Sequence, residues 1–130
     1  MLPMRFVDKD VAHFLNGANS VRDGKLVSLS IQDGKTESER HITLIFHVPR
    51  GTEGDVYNLQ LGGDLQFDYA FSSEYVWSQI EMVKCLWTDD SVFYLSLDPW
   101  DERERFISQD DNDWFRSKST TLNVSHSSKE

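Results

Sequence analysis

The chain has 130 residues, enough for one domain that buries a core without help from a metal or disulfide. Its 12% aromatic content within a 38% apolar fraction argues against disorder. Thirteen Lys and Arg stand against 22 Asp and Glu, a formal charge of −9, which disfavours nucleic-acid backbones and anionic membrane surfaces as partners.

The single cysteine, Cys85, excludes an intramolecular disulfide and any metal site built on paired cysteines. No apolar run reaches the length of a membrane span. Residues 1–6 lack the basic flank and apolar stretch of a secretory signal, so the cytoplasm is the expected compartment.

The first predicted element is a short helix. Val11, Phe14 and Leu15 share one face, Asp8 is placed to cap the first turn, and Gly17 offers a left-handed stop. After Asp23-Gly24 the period drops to 2. Val27, Leu29 and Ile31 alternate with serines, and Asp33-Gly34 marks the next turn. Ile42, Leu44, Phe46 and Val48 form a second strand closed by Pro49.

Tyr57, Leu59 and Leu61 form a third strand, and Gly62-Gly63-Asp64 turns the chain into a fourth carrying Leu65, Phe67, Tyr69 and Phe71. Residues 72–78 are less regular, with Tyr75 and Trp77 expected to be anchored. Residues 80–87 and 92–97 are apolar on both faces. They predict a hairpin whose first strand is central and covered on two sides. Trp114 and Phe115 suggest a single helical turn, and 118–124 a last strand.

The predicted fold is therefore mainly β: an antiparallel β-sandwich or half-open barrel of about seven strands with one short N-terminal helix. Residues 1–124 are expected to form one β-rich domain and 125–130 a frayed tail.

Candidate chemistry is sparse. His13, His41, His47 and His126 lack the spacing of a metal-ligand helix. Cys85, in an apolar strand, is expected to be an inert core thiol. There is no nucleophile elbow and no phosphate-cradling glycine pattern. The run Asp110-Asp111-Asn112-Asp113 lacks the central glycine and closing Glu of a helix–loop–helix calcium site. Glu81 is the one acidic residue expected inside an apolar strand, and a cross-strand cation explains it as well as catalysis does. No catalytic residue, metal site or cofactor is predicted.

The unusual feature is residues 89–113, which hold nine acidic residues and two arginines, a local balance of −7. Trp100 lies inside this stretch, with Trp114 and Phe115 just beyond. Trp is enriched at binding hot spots, and negative potential speeds encounter with a basic partner. Asp98, Trp100, Asp101, Glu102, Asp110, Asp111, Asp113 and Trp114 are the expected partner-binding set. The competing explanation places both tryptophans in the core and leaves the carboxylates solvated.

The residues Tyr94-Leu95-Ser96-Leu97-Asp98-Pro99, then 107–113 and 116–124, within a span of about a quarter of the chain, resemble those of small bacterial immunity proteins from polymorphic-toxin loci. The resemblance implies a non-enzymatic protein that binds and inhibits its own toxin, often a basic nuclease, inside the producing cell. It carries over no contact residue. Two other function classes stand beside it. One is a small-ligand or hydrolytic β-fold protein whose pocket holds a carboxylate or histidine. The other is a self-associating module, possible as a homodimer, whose exposed strand edges pair between copies.

Overall fold

The computed structural model describes residues 4–35, 39–49, 51, 53–69 and 80–127. In chain order these form β1 (Met4–Val7), α1 (Lys9–Leu15), β2 (Lys25–Gln32), β3 (His41–His47), β4 (Val56–Gly62), β5 (Gln66–Asp68), β6 (Lys84–Trp87), β7 (Phe93–Asp98), β8 (Asn112–Ser117) and β9 (Ser119–Ser125). Every strand pair is antiparallel. The first sheet runs β1-β9-β4-β3-β2 and the second β5-β8-β7-β6, and the two form a β-sandwich. Among the described residues, no helix is long and apolar enough to cross a membrane.

The period-2 patterns explain the sandwich. Ile42, Leu44 and Phe46 on β3 register with Leu61, Leu59 and Tyr57 on β4, and Leu59 and Tyr57 register in turn with Leu122 and Val124 on β9. All eight side chains are buried and face Cys85, Phe93, Leu95 and Phe115 of the second sheet in one core. Burying each of the larger ones is worth about 1.5–3 kcal/mol. Helix α1 plugs the side of this core with Val11, Ala12 and Leu15, while Phe14 stacks on Phe6 at 4.4 Å. At the β4–β5 turn Gly63 and Asp64 both adopt positive φ (75° and 47°), the conformation that glycine and aspartate tolerate best.

Several sequence expectations are corrected. A strand, β1, precedes the helix and pairs with β9. Asp8 does not cap α1; its Oδ1 accepts from the Thr120 N–H at 2.9 Å and ties the helix start to β9. Trp114 and Phe115 lie in strand β8, not in a helical turn, because Phe115 pairs between Phe67 and Leu95. Only Lys84–Trp87 of the 80–87 stretch is strand, and β6 is an edge rather than a centre. Its second cover is a loop, residues 99–111. The last strand reaches Ser125, and Asp55 holds Ser127 through both its N–H (2.7 Å) and its hydroxyl (2.8 Å), so the chain is ordered past residue 124. The expectations for Phe71, Tyr75 and Trp77 lie outside the described residues.

Candidate functional site

The outer face of the second sheet is built from the even positions of its strands. The register sets Lys84 beside Ser96 and Leu86 beside Tyr94, then Tyr94 beside Arg116 and Ser96 beside Trp114. A solvent-facing sheet surface would leave these exposed, yet Lys84, Leu86, Tyr94 and Ser96 are all buried. Residues 99–111 cover them. This loop leaves the end of β7 and returns at the start of β8, where Asp98 pairs with Asn112. Its ends are therefore adjacent, as in a compact surface loop packed by its own side chains.

One buried ion pair clamps the loop down. Lys84, with a fully buried side chain, donates from Nζ to both carboxylate oxygens of Asp111 (3.1 and 3.0 Å), to Glu104 Oε1 (3.0 Å) and to the Phe106 carbonyl (3.1 Å). Asp111 also accepts from the Tyr94 hydroxyl (2.7 Å), the Trp100 N–H (2.9 Å) and the Ser108 N–H (3.2 Å). Burial alone pushes the Asp111 carboxyl up, but hydrogen bonds from Tyr94, Trp100, Lys84 and Ser108 outweigh it and hold the group below its ordinary value. Burial, then the hydrogen bond to Asp111, pushes the Tyr94 hydroxyl up. A charged lysine and carboxylate survive out of water only because nearly every donor and acceptor is matched.

The clamp fixes which groups face outward. Trp100 is pinned by its N–H while its side chain leaves the residue 71% exposed. Phe106 is 59% and Ile107 36% exposed on the same loop. Large apolar side chains held outward by a buried support are the anatomy of a contact surface rather than of a core.

The predicted partner-binding residues do not share one environment. Trp100, Asp98 and Asp110 are exposed, with Asp98 at the end of β7 beside the loop. Asp101 and Glu102 are half-buried and internally engaged. Asp101 is lowered by its hydrogen bonds from Arg103, and Glu102 accepts from Arg22 and from the Val83 N–H (3.3 Å). Asp111 is corrected out of the contact set, because its carboxylate is wholly enclosed with its donors. Trp114 is half-buried and stacked on Tyr94 at 6.3 Å. Asp113 lies on the opposite face of β8, on the side of Phe115 and Tyr69, away from the loop.

The other candidates supply little chemistry. Glu81 is exposed and precedes β6, so it is not a strand-borne carboxylate. His41 meets the Gln32 amide oxygen at 2.8 Å and His47 sits 3.4 Å from Asp55. Burial pushes the Cys85 thiol up to about 12. Among the described residues no group of His, Cys, Asp and Glu is placed to hold a metal ion. A shallow open cleft of about 310 Å³ runs between the end of α1 and the loop, and the Arg22–Glu102 pair crosses it.

Sequence reading missed Lys84, Tyr94, Phe106 and Ile107. The available signal was a lone lysine among apolar residues in a strand read as covered on both faces. Comparison with known proteins finds no matching family model, no similar curated protein and no matching solved structure.

Proposed function

We propose that this chain is a non-enzymatic protein-binding module, and specifically an immunity protein that neutralises a basic toxin domain inside the producing cell. One observation carries the reading: Trp100 is anchored through its backbone to a buried carboxylate while its ring is left open to solvent, with Phe106 and Ile107 on the same loop. The segment around it, residues 89–113, carries −7 of the chain's net charge of −9. An indole with its backbone already fixed loses little entropy on binding, and surrounding carboxylates steer a cationic partner toward it. The same charge disfavours nucleic acid and anionic membranes as alternative partners.

The test is co-expression with the product of the neighbouring reading frame: a toxic, basic product that this chain neutralises supports the reading, and a product that is harmless or unaffected by this chain rejects it. Trp100→Ala should weaken the complex by about 2 kcal/mol or more, as hot-spot truncations do, with an unchanged circular dichroism spectrum. Asp110→Lys should slow association, and the wild-type rate should fall as salt rises. Full protection by a Trp100→Ala, Phe106→Ala double variant would reject this surface.

A further inference from the structure

The outer face of the first sheet is built the opposite way. Following the register across all five strands, its positions are Arg5 and Val7 on β1, then Ser119, Thr121, Asn123 and Ser125 on β9. Next come Val56, Asn58, Gln60 and Gly62 on β4, His41, Thr43, Ile45 and His47 on β3, and Lys25, Ser28, Ser30 and Gln32 on β2. None is acidic, in a chain where 22 of 130 residues are. The cations sit on the two edge strands, Arg5 on β1 and Lys25 on β2, and the histidines at the two ends of β3. The centre is hydroxyl, amide and aliphatic.

We infer that this face packs against the same face of a second copy, forming a two-fold dimer of sandwiches. Three observations argue for a copy of this chain as the occupant. First, two molecules of charge −9 repel, and this face, whose strand positions hold no acid and which meets a carboxylate at its rim where Asp55 lies beside His47, is where they can approach with few opposing acids. Loss of charge from the centre with retention at the rim is also the compositional mark of an interface core. Second, the area suffices. Five strands of these lengths, spaced about 4.8 Å apart with a rise of about 3.3 Å per residue, present a flat projection of roughly 500 Å². Two copies then bury roughly 1,000 Å², the lower bound for a specific association.

Third, Asn58 Oδ1, near the centre of this face, is shut off from water with no hydrogen-bond donor, the only such side-chain atom among the described residues. Rotation of that amide toward a facing copy gives it a partner. A two-fold packing uses the same patch on both copies, so it closes a dimer without leaving a free end. The acidic loop stays open on the far side of each sandwich, so this inference goes beyond the toxin-binding reading and fails or holds independently of it.

The experiment is sedimentation velocity on the full chain across a concentration series at low and high salt. The expected species has twice the 15.1 kDa chain mass, and its share rises with concentration. It also rises with salt, because salt screens the net repulsion between the copies. Ser28→Glu with Gln60→Glu, at two exposed positions of this face, should give a 15.1 kDa monomer throughout with an unchanged circular dichroism spectrum. Asp110→Lys, on the loop, should remain dimeric. A wild-type chain that stays at 15.1 kDa at every concentration and salt overturns the inference. So does a dimer that survives both glutamates.

Discussion

The two sheets share one core and differ in what they do with their outer faces. On the first sheet, Ser28, Gln60 and Lys25 are exposed to solvent, as an ordinary alternating pattern dictates. On the second, Lys84, Tyr94 and Ser96 occupy equivalent outward positions and are buried, because residues 99–111 fold back over them. The first face needs no lid. The second is stable only with one, since an uncovered Lys84 would lose Asp111 and an uncovered Asp111 would lose its donors. The contrast shows that the acidic segment is part of the fold, a third layer centred on the buried Lys84–Asp111 pair with Lys84–Glu104 and Arg22–Glu102 beside it, and that its outward side chains are positioned rather than loose.

The largest expected effect removes one partner of that pair. Asp111→Ala leaves Lys84 charged and enclosed and frees three further donors, and should cost about 3–5 kcal/mol in urea unfolding. A cost under about 1 kcal/mol would mean the loop is a surface ornament. Charge reversal at Asp110 and Asp113 leaves this pair intact. Reversal at Asp111 does not, so the three neighbouring acids are not interchangeable.

A matched pair of truncations sharpens the comparison next. Leu86→Ala, on the outer face of the second sheet but 4% exposed, should cost about 2–5 kcal/mol. Gln60→Ala, on the exposed outer face of the first, should stay within about 0.5 kcal/mol at chain concentrations where no dimer forms. Similar values for both would remove the asymmetry between the sheets.

Acid gives a smaller, graded effect. The folded Asp111 carboxyl is held below its ordinary value, so below about pH 4 the unfolded chain binds the proton first. Stability from this group is complete above that value and is lost as pH falls through the depressed one. Asp55, lowered to about 2 by its hydrogen bonds from Ser127, acts in the same direction. The wild type should lose stability more steeply than Asp111→Asn between about pH 4 and pH 2, measured by thermal melts across that range.

Much of the fold was legible in the residues. The alternation at Ile42, Leu44 and Phe46, and at Tyr57, Leu59 and Leu61, marks strands whose inward side is unambiguous. Both-face apolarity read over 80–87 and 92–97 signalled cover on two sides, which holds for the strand residues 84–87 and 93–96 but not for exposed Glu81 and Met82, and it did not say that one cover was a loop. The site was less legible. Asp110 and Asp111 are adjacent and chemically identical in the sequence. Only the closure of the loop turns one outward and buries the other beneath the Trp100 backbone. Lys84 was invisible for a related reason: lysine is almost never fully buried unless paired, and its pair lies 27 residues away. Trp114 misled because flanking Asp residues imitate a helix start, whereas tertiary pairing between β5 and β7 makes it strand.

The most direct measurement is amide hydrogen exchange of Trp100 and Ser108, whose N–H groups both end on the Asp111 carboxylate. A clamped lid predicts that both exchange nearly as slowly as core amides of β7, and that Asp111→Asn speeds them selectively. Exchange as fast as that of an exposed chain end would contradict the claim that residues 99–111 are a fixed layer presenting Trp100.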